Sequence, residues 1–153
     1  MPDSESPCHC TALRKATRRV SQLYDIALGP SGLKTTQYAI LAHVGRSEPT
    51  AVSVLANALV MDAGALAHTL KPLVRDGLVV IAADPADRRS RLVRLSRAGR
   101  SKLEDCRKLW RTAERGFDAG LGATRAKSLR DAARLLISDE FASAFRAELE
   151  SAS

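Results

Sequence analysis

The chain has 153 residues, of which 45% are apolar, 27% charged and 4% aromatic, and its formal net charge is +7. This length suits one domain with a core built mainly from Leu, Val and Ala. Three cysteines are too few, and uneven in number, for a disulfide scaffold. No apolar run approaches membrane-spanning length, and residues 1–7 are too polar and acidic for a secretory signal. We therefore expect a cytoplasmic protein without membrane contact.

The positive charge is unevenly distributed along the chain. Residues 61–100 contain eight Lys/Arg and four Asp/Glu, whereas residues 101–153 contain ten and nine. A basic excess indicates a polyanionic partner and carries no information about the fold. Because the excess is concentrated in one segment, it favours nucleic acid as that partner.

Helical spacing predicts two helices in the first third of the chain. The first covers residues 11–28 and ends at the glycine and proline of residues 29–32; its apolar positions are Leu13, Ala16, Val20, Leu23 and Ala27. The second begins at a Thr35 or Thr36 cap and is closed by Gly45 and Pro49; its apolar positions are Tyr38, Ile40, Leu41 and Val44.

A helix-turn-helix pattern follows. Residues 52–61 form a short helical pattern, and Asp62 is a good N-cap for a second helix that extends to about residue 76. Leu66, Leu70 and Leu73 lie on the inner face of that helix, and Gly77 provides its C-terminal stop. Pro72 cannot donate to the carbonyl of His68, so a kink near residues 68–72 is expected.

The next segment predicts a β-hairpin with a basic tip. Residues 78–81 are a continuous apolar run, residues 92–95 alternate apolar and basic, and the Asp/Pro-containing segment 84–91 joins them. Residues 88–100 contain six arginines and no acid. Such a tip suits contact with phosphates or a minor groove. The alternative is a solvated hairpin whose charged edge prevents aggregation.

The remainder of the chain is again helical in pattern. An apolar seam with heptad-like spacing runs along the helix that begins near Ser101, and it contains Leu103, Cys106, Trp110, Ala113, Phe117 and Gly120. The partner of this seam is either another part of the same chain or a second subunit. Residues 120–122 break the helix, and a last helical segment from Thr124 restarts at Ser138.

Helix, turn, capped helix, glycine and basic hairpin follow one another as in a winged helix-turn-helix. Residues 62–79, with the motifs Asp84-Pro85-x-Asp87-Arg88-Arg89 and Leu95-Ser96-x-Ala98-Gly99-Arg100, resemble the MarR family of bacterial transcription regulators. The resemblance implies a mostly α fold with a small β-hairpin in one domain. Residues 1–32 would be an arm and dimerisation helix, residues 33–100 the winged helix-turn-helix, and residues 101–153 the C-terminal dimerisation helices.

The same resemblance implies a homodimeric regulator of double-stranded DNA, most simply a repressor, that responds to a small molecule or oxidant. Its candidate DNA-binding residues are Ala65, His68, Thr69, Lys71 and Arg75 on the second helix, and Asp87, Arg88, Arg89 and Arg91 on the wing. In the family, the aspartate of the wing orients an arginine that enters the minor groove, which implies these roles for Asp87 and Arg88. The chain departs from the family at Ala63, Gly64, Ala65 and His68, where hydrogen-bonding side chains are expected.

The segment Cys8-His9-Cys10 is a second candidate site. Two thiols and an imidazole could bind a soft metal or form a redox pair. Three consecutive ligands rarely close one tetrahedral site, so we expect no metal and retain Cys8 and Cys10 as candidate redox sensors. Cys106, on the apolar seam, is expected to be a small buried hydrophobe.

Catalytic motifs are absent from the sequence. It has no nucleophile elbow, phosphate-binding glycine loop, HExxH motif or paired acids, so we expect neither an enzyme nor a cofactor.

The interpretation that competes with a sequence-specific regulator is a winged-helix module for protein interaction or DNA architecture, with weak sequence specificity. The small residues 63–67 favour that alternative.

Overall fold

The computed structural model describes residues 8–152. Its elements are α1 (His9–Leu28), α2 (Thr35–Ser47), β1 (Thr50–Ala51), α3 (Val52–Ala58), α4 (Ala63–Arg75), β2 (Val79–Ala83), β3 (Arg91–Leu95), α5 (Arg97–Leu121), α6 (Ala123–Leu136) and α7 (Asp139–Ser151). A 3-10 turn, Gly29–Ser31, follows α1. One compact unit extends to residue 113 and a second begins at residue 114. The predicted class, mostly α with a small β-hairpin, is confirmed.

The core of the first unit is formed by α2, α3, α4, the sheet and the beginning of α5. Its fully buried large side chains are Leu28, Ile40, Leu41, Val44, Leu55, Leu66, Leu73, Val93 and Cys106. The inward leucines predicted for α4 are confirmed, as is the buried state of Cys106. Because one face of α4 is fixed in this core, its opposite face is held toward solvent.

Trp110 shows where the first half of the α5 seam packs. Its ring lies 4.9 Å from the ring of Tyr24 in an edge-on arrangement and 4.3 Å from that of Tyr38 in a stacked one, measured between ring centroids. Aromatic pairs in these geometries stabilise a fold beyond their buried area. Burial also raises the pKa of Tyr38. The beginning of the seam therefore packs within its own chain.

Three predicted boundaries of α1 and α2 were wrong. Helix α1 begins at His9, so Cys10 is helical, and α2 continues through Gly45 to Ser47. The first residue of α2 is Thr35 and its N-cap is Lys34, because Asp25 of α1 supplies the acceptor that the sequence suggested for Thr35 or Thr36. Gly45 packs closely, because a Cβ there would lie 2.9 Å from the end of the Leu103 side chain, which would have to shift.

The turn between α3 and α4 is longer than the sequence suggested. Helix α3 ends at Ala58, three residues before the predicted end, and Val60 has a φ of 52°. A β-branched residue in the left-handed region is uncommon, so this turn carries backbone strain.

As predicted, Asp62 caps α4 by accepting a 2.8 Å hydrogen bond from the N–H of Ala65. Gly77, with a φ of 69°, follows the end of α4 and confirms the predicted stop.

The hairpin belongs to a three-stranded antiparallel sheet of order β1-β3-β2. Val79 pairs with Leu95 and Ala83 with Arg91, as expected for the predicted hairpin. Strand β1 was not predicted, since two residues are too few to show a pattern. At the base of the sheet, the carboxylate of Glu48 accepts a 2.7 Å hydrogen bond from the Leu95 N–H and pairs with Arg100.

Ser96 and Gly99 join α5 to the end of α4. The Ser96 hydroxyl accepts a 2.9 Å hydrogen bond from the N–H of Gly99 and donates a 2.5 Å hydrogen bond to the carbonyl of Gly77. A Cβ at Gly99 would lie 1.9 Å from the backbone oxygen of Leu78. Only glycine permits this approach without a shift of the backbone.

We expect Gly99→Ala to lower the free energy of unfolding by about 3 kcal/mol or more, because the clash is with backbone and cannot be relieved by rotating a side chain. Urea titration of both variants measures the effect. Gly116→Ala is the matched control on α5, since a Cβ there meets nothing within 4 Å. That control should stabilise the helix by up to about 1 kcal/mol. Equal effects of the two substitutions would contradict the packing argument.

The second unit contains the end of α5, with α6 and α7. Gly122, with a φ of 88°, separates α5 from α6 as predicted, although α6 begins one residue early, at Ala123. The predicted restart at Ser138 is confirmed, because its hydroxyl accepts a 3.2 Å hydrogen bond from the N–H of Phe141. The exposed large apolar residues of this unit are Leu129, Leu135, Leu136, Ile137, Phe141, Phe145 and Leu149.

Candidate nucleic-acid interface

The exposed face of α4 is the first part of the candidate interface. Ala65 and His68 are exposed on this face, and Lys71 is exposed one turn further along the helix. The first turn of α4 presents only small residues. A partner can therefore approach this turn closely and contact its methyl groups and backbone atoms. Pro72 lies inside the helix, which continues to Arg75. The carbonyl of His68 consequently has no helical N–H donor four residues ahead, and the predicted kink stays a prediction.

A groove of about 530 Å³ joins α4 to the beginning of α2. Its walls carry four basic residues, three uncharged polar residues and a proline from the two helices: Lys34, Thr36, Gln37, His68, Thr69, Lys71, Pro72 and Arg75. Within residues 8–152, no acidic side chain lines this groove. Cationic and polar side chains on the walls of a groove suit contact with a phosphate backbone.

Two of the predicted contact residues are already engaged inside the protein. The Thr69 hydroxyl donates a 3.0 Å hydrogen bond to the carbonyl of Ala65, so it retains only its acceptor capacity for a partner. The Arg75 Nε lies 2.8 Å from the Asp76 carboxylate, and both groups are exposed. Among the basic side chains of α4, Lys71 and His68 have no such partner within residues 8–152.

The wing tip is shaped by two aspartates. Asp84 Oδ1 accepts a 2.9 Å hydrogen bond from the N–H of Ala86, and Asp87 Oδ1 accepts a 3.0 Å hydrogen bond from the N–H of Arg89. Each carboxylate thus closes a local turn, as Asp side chains do in Asx turns. The expectation that Asp87 orients the Arg88 side chain takes a different form here, because Asp87 orients the backbone of the turn that presents Arg88.

The arginines of the wing are all exposed. Arg88 and Arg89 lie at the tip, and Arg91 begins β3 and lines a second, apolar groove of about 480 Å³ between α4 and the sheet. Lys71 and Arg75 line that groove as well as the first one. The structure therefore brings Arg91 beside the cations of α4, whereas Ala65, Arg88 and Arg89 line neither groove.

Sequence reasoning missed Lys34, Thr36 and Gln37. Thr36 was interpreted only as a possible helix cap, and Lys34 and Gln37 were given no role. Their place on the groove depends on how α2 packs against α4. Gln37 also accepts a 2.9 Å hydrogen bond from the N–H of Lys34. The available signal was only the polar, basic start of α2, since residues 34–37 lie far in sequence from the predicted DNA-binding segment.

The cysteines are free, and two of them are accessible. Cys8 is the N-cap of α1 and Cys10 is its second residue, and both are exposed. A hydrogen bond from the side chain of Thr11 lowers the pKa of Cys8, with a smaller contribution from the Thr11 backbone. A lowered pKa raises the thiolate fraction, which is the reactive form. Cys106 is fully buried.

Residues 8–152 contain no cluster of metal-ligating side chains and no single helix of membrane-spanning length and composition. No group of three or more His, Cys, Asp or Glu in this range could hold a metal ion. No single helix in the described part of the chain is long and apolar enough to span a membrane; only α3 and α4 taken together reach that composition, and they are bent by 109°.

Similar proteins support the fold and the family. The sequence profile of the MarR family matches residues 31–90. The M. tuberculosis transcriptional regulator MosR, solved in complex with DNA, is 36% identical, with a TM-score of 0.74 over 84% of this chain and 92% of that one. A probable transcriptional regulator from Pseudomonas aeruginosa is 34% identical, with a TM-score of 0.74 over 84% and 97%.

More distant structures share the fold. The transcriptional repressor CouR, bound to a 23-mer DNA duplex, has a TM-score of 0.78 at 24% identity, over 86% of this chain and 93% of that one. No curated protein matches the sequence. The identity to MosR over most of both chains, together with the matching profile, shows that this chain belongs to the MarR family of transcription regulators.

Proposed function

We propose that the protein is a sequence-specific DNA-binding repressor that binds a pseudo-palindromic operator as a homodimer. The observation that carries the proposal is the exposed face of α4 lying beside a wing whose arginines are all exposed. Helix α4 would enter a major groove, and Arg88 and Arg89 would reach the adjacent minor groove. Lys71, Arg75 and Arg91 would contact the backbone between them.

The homodimer is proposed from the apolar surfaces that the chain leaves uncovered. On α1, Leu13 is 44% and Leu23 is 54% exposed, and on α7, Phe145 is 58% exposed. Apolar faces of this extent mark surfaces that another chain covers. A two-fold dimer presents two copies of α4, which then read half-sites about one helical turn apart. In this proposal the chain is one MarR-like domain with residues 1–32 and 101–153 as its dimerisation segments.

Binding to the DNA upstream of the chain's own gene tests the proposal. Fluorescence anisotropy with that duplex should give saturable binding with a stoichiometry of one dimer per site, and excess nonspecific DNA should not abolish it. A scrambled duplex of the same composition is the control. No preference for the upstream duplex over the scrambled one would contradict sequence-specific regulation.

The second candidate function is a winged-helix module with weak DNA sequence specificity, used for architecture or protein interaction. It is favoured by the first turn of α4, where Ala63, Gly64 and Ala65 provide no side chain capable of bidentate pairing with a base. An architectural protein would bind both duplexes of the preceding experiment equally. A protein-interaction module would bind neither.

For regulation, we propose an effector that changes the spacing of the two DNA-reading heads, either a small molecule or an oxidant. The proposal that the effector is an oxidant depends on Cys8 and Cys10. Cys8 is the N-cap of α1 and Cys10 lies in its first turn, where residues two positions apart do not face each other, so we expect a disulfide between them to require that turn to unwind. Peroxide would accept the two electrons and leave as water, with both thiol protons transferred to it.

We expect diamide or peroxide to weaken operator binding and the Cys8→Ser/Cys10→Ser variant to lose that response. Anisotropy before and after treatment measures it, and a thiol reductant should restore binding. Cys106→Ala is the control, since its thiol is buried. An unchanged response in the double variant would move the sensing thiol to Cys106, and an insensitive wild type would leave the small molecule as the effector.

A further inference from the structure

Asp25, on α1, makes its hydrogen bonds on another helix. Its Oδ1 accepts a 2.7 Å hydrogen bond from the N–H of Thr35 and a 2.8 Å hydrogen bond from the Thr35 hydroxyl. Its Oδ2 lies 3.7 Å from the Nζ of Lys34. Thr35 is the first residue of α2, so one carboxylate of α1 holds the first turn of α2 at three points.

Those points lie within one wall of the DNA-facing groove. Lys34, Thr36 and Gln37 line the groove together with His68 and Lys71 of α4. Asp25 contacts Lys34 and the residue between Lys34 and Thr36. The position of this wall is therefore set from α1, and α1 carries the exposed apolar side chains proposed to form the dimer.

The carboxylate is ionised in the folded protein. Burial acts to raise the pKa of Asp25, but the hydrogen bonds from Thr35 and the charge of Lys34 outweigh it and lower that pKa. Charge-assisted hydrogen bonds at a helix N-terminus are among the stronger ones. At neutral pH the connection between α1 and α2 is consequently intact.

We propose that Asp25 is a positioning residue for DNA binding, which holds the wall formed by Lys34, Thr36 and Gln37 against the phosphate backbone and couples it to α1. The inference rests on the proposed function, because it assigns the groove to DNA. It adds Lys34, Thr36 and Gln37 to the DNA-binding surface. It also gives a route by which a rearrangement of α1 changes DNA affinity.

Whether removal of the Asp25 carboxylate weakens or tightens DNA binding distinguishes a positioning role from simple charge repulsion. Removal of an acidic charge near DNA tightens binding if the charge acts only by repelling phosphate. If Asp25 acts by positioning, its removal weakens binding, because the groove wall no longer has a fixed geometry. The two roles therefore predict opposite results for the same substitution.

The experiment measures operator affinity of the full-length protein over a series of salt concentrations. We expect Asp25→Ala to weaken binding about tenfold and to reduce the slope of log K against log salt by about 0.9 for each phosphate that is no longer neutralised, or about 1.8 per dimer. Asp25→Asn should retain most of the affinity, since the Asn Oδ1 can accept the same two hydrogen bonds from Thr35. Asp105→Ala, an exposed acid on α5, is the control and should bind as the wild type or slightly tighter.

A double-mutant cycle with Lys34→Ala supplies the decisive readout. If Asp25 acts through Lys34 and its neighbours, Asp25→Ala/Lys34→Ala binds no more weakly than Asp25→Ala alone. Additive reductions in affinity, or an Asp25→Ala variant with lowered melting temperature but unchanged affinity and salt slope, would overturn the proposal. If Asp25→Ala does not fold, the cycle with Thr35→Val in its place is judged by the same criterion. A wild-type protein without operator preference would instead refute the proposed function.

Discussion

Raising the salt concentration from about 50 to 200 mM is expected to weaken operator binding on the order of a thousandfold. The reason is the way in which the side chains able to contact DNA are divided between the wing and α4. Each wing presents Arg88, Arg89 and Arg91 in exposed positions, whereas the exposed face of α4 offers few hydrogen-bonding side chains. Contacts to phosphate and minor groove should therefore supply most of the affinity, and each contact releases counterions that salt then opposes.

The same division predicts the effect of single substitutions. Arg88→Ala should weaken binding by about 1–3 kcal/mol for each arginine removed from the minor groove. His68→Ala should have a smaller effect on affinity and should flatten the preference among half-sites, since His68 is an exposed side chain in the first half of α4 that is able to contact a base edge. Arg125→Ala, an exposed arginine on α6, is the control for removal of one positive charge.

Titrations of the three variants on specific and scrambled duplexes, at several salt concentrations, determine whether the wing or α4 supplies most of the affinity. The wing is the principal source of affinity if Arg88→Ala reduces both the affinity and the salt slope while Arg125→Ala changes neither. A neutral Arg88→Ala together with a His68→Ala variant that no longer binds would reverse the assignment and make α4 the principal reader.

The sequence was sufficient where local chemistry determines structure. The Asp62 cap, the leucine spacing of α4 and the Gly77 stop involve residues within one or two helical turns, and all three were predicted. The wing was predicted for the same reason, since its turn chemistry is contained in residues 84–91. Asp87 differs from the expectation in the group that it orients, which is the backbone N–H of Arg89.

The sequence was insufficient where the partner is distant along the chain. Asp25 meets Thr35 across the 3-10 turn, and Gly99 meets Leu78 from 21 positions away, so neither contact leaves a periodic signal. The groove wall at Lys34 was not predicted for the same reason, because it depends on how α2 packs against α4. Strand β1 was missed because its pairing partner, Val93, lies more than 40 residues further on.

Replacing Leu13 and Leu23 together by Glu is expected to convert the proposed dimer to a monomer and to weaken operator binding at least about a hundredfold. Both side chains are substantially exposed on α1 in the isolated chain, whereas Tyr24 and Leu28 of the same helix are in the core. The substitutions should therefore leave the fold of the subunit intact. If α1 forms the proposed apolar interface, the two added charges of each subunit would be buried there without partners, and we expect association to be lost.

The weaker DNA binding follows from linkage of the two reading heads. In a dimer, binding of one α4 and wing places the second pair near its half-site at a high effective concentration, and a monomer forfeits that advantage. Analytical ultracentrifugation reports the assembly, circular dichroism the fold, and anisotropy the affinity. Gln22→Glu adds a charge to the same exposed stretch of α1 outside the apolar positions and should leave the dimer unchanged. A Leu13→Glu/Leu23→Glu protein that remains dimeric would show that α1 is not in the interface, whereas a folded monomer with wild-type affinity would show that the operator is read by one subunit.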